Sequence, residues 1–489
     1  MHANTRIEPS SQSQVFLWIW AATLIVLPLM VWPSHETIGS VDSSTVALSS
    51  ATGLIVYNPE TSWLLPKVLF LAFISSIGIL YIKDNWRGSL LEWLVAAYLL
   101  LATLSAFFSG DTFQYIFLGG NNRLDGLLYQ YSVVSYMLVW YYLVLRIKER
   151  AFRFLIAALA IVGLVESAIV TAQRLGYDPV GYIVRMHSYT DYTVGTIGHP
   201  GMVAGLLLPI AVVSYVIFLY RRSYFYLFVA LITAGAISLT YNKSSAYALI
   251  FTALLVPALN PRKIYRTALW ATPLLIMAVL GTAHVVPNHM LEERSLTNMH
   301  TGKTRLLIWK LAADVALHTP GQPLIGAGPD GFKLQIIKQK RLDELIDTYR
   351  LEYRWSEKVT KVELLGDEET PLKDRAIHVS FAGRPIGRFF HVSLDRAHDL
   401  LLDRTIQAGL LAALITLYIY LVPILALLKH RDKYTMAFGA ASFALVLYYV
   451  FWFPVPQVEP IHAAILAAAW AHLHEVHSLY TNETLAPTS

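Results

Sequence analysis

The chain has 489 residues, of which 55% are hydrophobic and only 15% are charged. Soluble domains average about 45–50% apolar and about 25% charged residues, and the mean hydropathy of +0.49 excludes a water-soluble globule, a disordered chain and a nucleic-acid-binding arm. The net charge is +5 and there is no cysteine, which excludes disulfides, thiolate metal sites and thiol chemistry. The composition predicts a polytopic membrane protein.

Apolar runs of the length needed to cross a bilayer recur along the chain, separated by short polar breaks. They lie near residues 15–32, 62–82, 89–109, 127–146, 152–173, 202–220, 224–241, 245–260, 267–287, 405–428, 435–454 and 458–475. The first run is interpreted as an uncleaved helix, because no convincing cleavage site follows it. The sequence therefore predicts an all-α polytopic membrane protein with about twelve transmembrane helices.

The distribution of basic residues predicts the orientation of these helices. If the N-terminus is cytoplasmic, fifteen lysines and arginines fall in the inner segments. The short outer segments hold Arg123, Arg174, Arg185 and Lys243. Positive charge accumulates on the cytoplasmic side of membrane proteins, so both termini are predicted to lie in the cytoplasm.

One long segment, 288–404, has 18 Lys+Arg, 17 Asp+Glu and no spanning run. It predicts an outward-facing loop domain between helices nine and ten, which divides the chain into 1–287, 288–404 and 405–489. Inside it, 304–317 has the spacing of an amphipathic helix, and 323–332 is a turn-rich loop. Alternation over 359–390 favours a short hairpin, and 394–403 favours a helix that continues into the tenth span.

Basic residues on the outer side run against the usual bias. Arg123, Lys243 and Arg305 either contact lipid headgroups as snorkelling cations or together hold a phosphate group. Glu166 lies inside the fifth predicted helix, where an ionisable side chain is costly and is usually paired or functional. A structural salt bridge with Lys243 or Lys67 is the simpler explanation for it.

The densest polar cluster covers residues 391–404. On one helix, His391, Asp395 and His398 would share a face. Arg396, Asp399 and Asp403 would occupy an adjoining one. A histidine oriented by a carboxylate is suited to act as a general base. Two histidines and an aspartate are also zinc ligands, and a solvated helix face without chemistry is the third interpretation.

Three segments, in this order, resemble a known family. Residues 195–205 (GTIGHPGMVAG) are similar to its G-T-F-G-N-P-N pattern, with His199 and Gly201 in place of asparagine. Residues 305–309 with 323–332 match R-x-x-x-W … P-L-x-G-x-G-x-x-x-F, and 397–411 match A-H-N-x-x-L … G-L-L, with Asp399 in place of asparagine. The chain thus resembles the O-antigen ligase/O-antigen polymerase superfamily over residues 195–412.

The resemblance implies a membrane glycosyltransferase of the GT-C type that needs no metal or other cofactor. Such enzymes move a glycan from a polyprenyl (undecaprenyl) pyrophosphate carrier to lipid A–core, another glycan or a protein, on the outer face of the cytoplasmic membrane. His398 takes the place of the catalytic histidine, Arg305 that of a phosphate-binding arginine, and Lys243 that of a second arginine.

In that mechanism Asp395 or Asp399 orients the ring of the base, and Arg123 or Arg396 adds charge for the pyrophosphate. His199, His391 and Glu166 are further candidates. Two other classes stay open: a transporter, which would show repeat-related halves and a midplane site, and a metal-dependent GT-C enzyme. The first outer loop, where the latter has its catalytic carboxylate, holds Glu36, Asp42 and Glu60 without an Asp-x-Asp pair.

Overall fold

A computed structural model of the chain describes residues 11–31, 59–120, 123–180, 193–259, 264–280, 300–318, 321–352, 358–365, 376–382, 388–391 and 396–484. The first helices are α1 (Ser11–Leu29), α2 (Pro59–Lys83), α3 (Leu90–Phe108), α4 (Phe113–Leu118), α5 (Leu127–Ile147), α6 (Glu149–Arg174), α7 (Pro200–Arg221), α8 (Tyr224–Leu239), α9 (Lys243–Ala258) and α10 (Ile264–Leu280).

The second part of the chain holds eight further helices and the three strands of the described residues. They are α11 (His300–His318), α12 (Gln322–Ile325), α13 (Gly331–Lys338), α14 (Leu342–Glu352), β1 (Val359–Leu365), β2 (Ala376–Phe381), β3 (Arg388–His391), α15 (Leu400–Ala408), α16 (Leu410–Lys429), α17 (Lys433–Tyr449) and α18 (Glu459–Thr484). The chain is therefore mostly helical.

A helix lies at each of the twelve predicted positions. Among the described residues, six helices are long and apolar enough to cross a membrane: α1, α2, α3, α6, α7 and α16. Three shorter apolar helices are α8, α9 and the part of α10 from Leu269 to Ala278. The membrane-embedded character predicted from composition is thus supported, whereas the full number of twelve crossings stays a prediction.

The centre of the helical bundle is α7, in which 94% of the most apolar stretch of residues is buried. It packs against α8 and α17, where small residues allow a close approach. Gly205 of α7 shows this, because a Cβ there would lie 2.5 Å from the Tyr448 hydroxyl. The apolar core thus forms by helix-to-helix packing around one buried helix.

The turns predicted to be cytoplasmic contact one another at one end of the bundle. The carboxylate of Glu149 lies 3.0 Å from Lys433 and 3.0 Å from Arg221, and Lys148 lies 2.6 Å from Glu475. The ends of α5, α6, α7, α17 and α18 therefore share one side, as the alternation of basic residues predicts. The membrane face to which this side belongs stays a prediction.

The segment after α10 has a hydrophobic cluster of its own. It is built from α11, α13, α14, β2 and α15, with Ile308, Phe332, Leu345, Ile377 and Ile406 among its buried residues. The amphipathic helix predicted over 304–317 is confirmed as α11. The predicted hairpin is present and gains a third strand, because β1, β2 and β3 form an antiparallel sheet in that order. The mostly helical fold is consistent with the predicted all-α membrane protein, and the strands are confined to this small sheet within the described residues. Helices α13 and α14 were not predicted.

The helix predicted over 394–403 begins only at Leu400, and it does not run into the tenth span. Asp399 caps its start through hydrogen bonds from the backbone amides of Leu401 and Leu402. Gly409 separates α15 from α16 with φ +89° and ψ 164°, a conformation essentially restricted to glycine. A Cβ at Gly409 would also lie 2.1 Å from the Leu324 carbonyl oxygen.

We expect Gly409→Ala to lower the free energy of unfolding by at least about 1–3 kcal/mol, because it adds backbone strain and overlap with the Leu324 carbonyl. The control is Gly302→Ala, since a Cβ at that helical glycine meets nothing within 4 Å. Alanine favours a helix by about 1 kcal/mol over glycine. Thermal unfolding of the purified variants in detergent measures both, and equal melting temperatures would contradict the expectation.

Candidate functional site

The site is built around two stacked aromatic rings in the loop between α17 and α18. The ring centres of Trp452 and Phe453 are 5.5 Å apart and the planes are inclined by 10°. The Arg305 guanidinium lies 5.6 Å from the Trp452 ring centre, and that of Arg123 lies 4.9 Å from the Phe453 ring centre. We call Trp452 and Phe453 the aromatic pair, and it brings together two arginines from distant segments.

Two histidines contact the same aromatic pair. The His398 ring stands edge-on to both rings, with centre distances of 5.7 Å to Trp452 and 4.8 Å to Phe453. The His199 ring centre lies 5.3 Å from that of Trp452. Four of the residues predicted from the sequence, Arg123, His199, Arg305 and His398, therefore surround one surface.

Arg123 is carried by a tight turn between α4 and α5. The amide of Arg123 donates to the Gly120 carbonyl at 2.9 Å, and that of Gly126 donates to the Leu118 carbonyl at 3.2 Å. A Cβ at position 120 would displace the Asp330 carboxylate, because it would lie 1.7 Å from one of the carboxylate oxygens. The turn is thereby packed directly against the loop before α13.

The backbone around His398 fixes the tautomer of its imidazole. Nδ1 of His398 lies 3.1 Å from the Arg396 carbonyl oxygen, and a carbonyl can only accept a hydrogen bond. The proton of the neutral ring is therefore on Nδ1, and Nε2 keeps its lone pair. The residue has φ +56°, and the Trp309 indole donates to its carbonyl at 3.4 Å.

The surroundings of His398 disfavour its protonated form. Burial lowers the pKa of His398 well below its usual range, and the positive charges of Arg305 and Arg123 lower it further. The hydrogen bond to the Arg396 carbonyl acts in the opposite direction. At neutral pH the ring is thus a neutral hydrogen-bond acceptor at Nε2.

Asp399 does not orient the histidine ring as the sequence suggested. One oxygen of its carboxylate accepts hydrogen bonds from the amides of Leu401 at 3.0 Å and Leu402 at 2.9 Å, which caps α15. Burial raises the pKa of Asp399, and these two bonds lower it in part. The ring of His398 is instead oriented by a backbone carbonyl, so Asp399 acts on the helix start.

Arg396 was expected to bind pyrophosphate, and its burial argues against that role. Only 1% of the residue is exposed, and its guanidinium donates to Asp330 at 3.2 Å and also to Asp125. A guanidinium removed from water needs such partners. Arg396 therefore ties the turn before α5, the loop before α13 and the segment before α15 together.

Glu166 and Lys67 are both buried and hold the same residue from two directions. The Glu166 carboxylate accepts from the Thr196 amide at 2.7 Å and from its hydroxyl at 2.8 Å. Lys67 Nζ donates to the Thr196 carbonyl at 2.7 Å. The pairing with Lys67 considered for Glu166 thus runs through Thr196, and it fixes the turn that leads into His199.

Lys243 begins α9, directly after its N-cap Asn242. The Asn242 side chain lies beside the start of α7, because its Nδ2 would be 3.0 Å from a Cβ on Gly201. The backbone of Lys243 is therefore at the same end of the bundle as His199, and its side chain is half-buried.

The single helical face predicted for His391, Asp395 and His398 does not form. His391 ends strand β3, and His398 precedes a helix that begins at Leu400. This removes the geometric basis of the zinc interpretation. Asp395, Arg185, Glu36 and Asp42 lie outside the described residues.

The aromatic pair was not predicted from the sequence. Residues 451–456 read FWFPVP and overlap the end of the predicted span 435–454. Aromatic residues beside prolines at the end of a span are the signal that was available. No protein-family profile, curated protein or solved structure matches this chain. The functional interpretation therefore depends on the geometry of the site and on the motif resemblance of residues 195–412.

The pKa of His398 is directly measurable. The measurement is a ¹⁵N-histidine NMR titration of the protein in nanodiscs, in which His398→Gln identifies the His398 signal. We expect the His398 ring to stay neutral as the pH is lowered through 6.5, the ordinary pKa of a histidine. Arg305→Gln should raise this pKa, because it removes a cation that disfavours the imidazolium. Lys310→Gln, an exposed position on the same helix, is the control. A wild-type ring that titrates at or above pH 6.5 would contradict the expectation.

Proposed function

We propose that this chain is a membrane glycosyltransferase of the O-antigen ligase/polymerase type. It moves a glycan from a polyprenyl pyrophosphate carrier to an acceptor hydroxyl on the outer face of the cytoplasmic membrane, with both termini inside. The observation that carries the proposal is the convergence of one neutral histidine, with Nε2 as acceptor, and two arginines on the aromatic pair. Membrane lipids surround the bundle, and the carrier's tail lies among its helices.

The proposed reaction has two electrostatic requirements, and residues of the site are suited to each of them. The pyrophosphate leaving group gains negative charge as it departs, so it needs cations that are already in position. The guanidinium groups of Arg305 and Arg123 each lie against an aromatic ring. Such a contact restrains the orientation of the planar guanidinium and of its N–H donors. The acceptor hydroxyl needs a neutral base, which the lowered pKa of His398 provides.

The proposed step is one direct displacement. Nε2 of His398 takes the proton of the acceptor hydroxyl while the hydroxyl oxygen bonds to the anomeric carbon. The bond from that carbon to the pyrophosphate oxygen breaks, and its electron pair stays on the pyrophosphate. The anomeric configuration inverts, and Arg305, Arg123 and Lys243 offset the charge on the leaving group.

The rival classes differ in testable ways. A polymerase and a protein O-oligosaccharyltransferase would use the same donor and differ only in the acceptor. A transporter places its substrate near the bilayer midplane, whereas Arg123 and Lys243 lie where α5 and α9 begin. A metal-dependent enzyme would lose turnover in a chelator.

The proposal is tested by incubating purified protein with undecaprenyl-pyrophosphate glycan and separate acceptors: lipid A–core, a glycan and a peptide. Mass spectrometry identifies the product. We expect transfer to one acceptor, in EDTA as well as without it. If EDTA abolishes transfer and one divalent metal restores it, the metal-independent mechanism is wrong.

Removing the cations should weaken use of the donor. We expect Arg305→Ala and Lys243→Ala each to cost about 1.5–3 kcal/mol in kcat/KM, the range for a hydrogen bond to a charged group. Lys243→Arg should retain or improve turnover, because a guanidinium also carries the charge and binds phosphate bidentately.

The matched control is Lys310→Ala, which removes a positive charge from an exposed position of the same helix as Arg305. It should leave donor kinetics unchanged. If Arg305→Ala and Lys243→Ala both turn over the donor at the wild-type rate, Arg305 and Lys243 are only snorkelling cations that contact lipid headgroups.

A further inference from the structure

We propose that His199 is a second functional histidine, which donates a hydrogen bond from Nε2 to the departing pyrophosphate. This inference rests on the proposed function and adds a leaving-group contact to it. Its grounds are the tautomer of His199, its place at the start of α7, and an unpartnered indole beside it.

The backbone fixes the tautomer of His199 in the opposite sense to that of His398. The Gly201 amide donates to Nδ1 of His199 at 3.0 Å, and a backbone amide can only donate. Nδ1 is therefore unprotonated, and the neutral ring carries its proton on Nε2. One histidine of the site is thus an acceptor at Nε2 and the other is a donor at Nε2.

The position of His199 favours a neutral donor over a cation. It is the N-cap of α7, a helix of 22 residues with Pro200 at its first position. The N-terminus of a helix carries partial positive charge, which disfavours an imidazolium there and favours an approaching anion. A neutral imidazole N–H stabilises growing negative charge without giving up its proton.

The indole of Trp452 offers a second N–H donor beside His199. Trp452 is 7% exposed, and within the described residues its Nε1 has no hydrogen-bond partner. Proteins rarely leave a buried donor unpaired. The ring lies between His199, Arg305 and His398, and its benzo edge lies against Gly201, where a Cβ would be 2.7 Å from Cη2. The phosphate oxygens of a pyrophosphate are acceptors for such a donor.

The turn before His199 is held by hydrogen bonds with several buried side chains. Besides Glu166 and Lys67, the Gln173 side chain accepts from the Gly195 amide at 2.8 Å. Gly195 has φ +56°, and a Cβ there would lie 1.8 Å from Glu166. Burying two charged side chains to hold one turn is costly. We infer that this energetic cost is tolerated because the turn places His199 precisely.

In the reaction, the acceptor hydroxyl proton goes to Nε2 of His398, and the electron pair of the breaking bond goes to the pyrophosphate oxygen. His199 keeps its proton throughout and only shortens its hydrogen bond as the charge on that oxygen grows. The contact is therefore stronger in the transition state than in the bound donor, so its loss should lower kcat more than it raises KM.

Two substitutions separate this role from helix capping. His199→Asn keeps an oxygen that caps α7 as well as any residue, but it removes the N–H of the ring. His199→Gln has a longer amide that reaches the position of Nε2. Trp140→Phe, at a buried tryptophan within α5, is a control for general perturbation of the bundle.

We expect His199→Asn to keep the wild-type melting temperature, to lower kcat by about tenfold or more, and to weaken inhibition by inorganic pyrophosphate. His199→Gln should recover part of both losses, and Trp140→Phe should match the wild type in kcat and inhibition. Full turnover and unchanged pyrophosphate inhibition in His199→Asn would overturn the inference.

A fall in melting temperature that accounts for the lost turnover of His199→Asn would also overturn the inference, because it assigns His199 to structure alone. The proposed function fails separately, if the wild-type protein transfers no glycan from the polyprenyl pyrophosphate donor. Pyrophosphate binding to the wild-type and His199→Asn proteins still tests His199 in that case.

Discussion

The whole site depends on one buried ion cluster, in which Arg396 lies between Asp125 and Asp330. The three residues come from the turn before α5, the loop before α13 and the segment before α15, so the cluster joins the bundle to the segment that follows α10. A buried guanidinium without its carboxylates would be strongly destabilising, which holds these three segments in one arrangement. The carbonyl of the same arginine fixes the ring of His398.

Charged residues near the site divide into two groups by burial. Arg396, Glu166 and Lys67 are buried and are paired with carboxylates or with the backbone, so they hold the chain in place. Arg123 and Arg305 are half-buried against the aromatic pair, where a guanidinium face meets a ring. His199 and His398 contact the same aromatic pair as these two arginines. The buried charges therefore hold the segments of the site in position. The half-buried arginines supply its positive electrostatic potential.

The sequence predicted the helices well and the site in part, for physical reasons. Hydrophobic runs locate helices, and basic turns locate the ends that meet. The sequence did not distinguish Arg396 from Arg305, because the difference is set by partners such as Asp125, which is 271 residues away. The helix start was wrong because aspartate suits both a first turn and an N-cap. Trp452 was missed because aromatic residues are common in membrane spans.

The most direct measurement of the central claim is donor binding and glycan transfer on the same purified His398→Ala protein. In the proposed mechanism other residues make the phosphate contacts, so we expect the variant to fold and to bind the polyprenyl pyrophosphate donor with near-wild-type affinity. Transfer should fall by about 10² or more, the scale of losing a general base. Near-normal transfer by His398→Ala would contradict the account, and the loss of binding together with transfer would make His398 a donor-binding or structural residue.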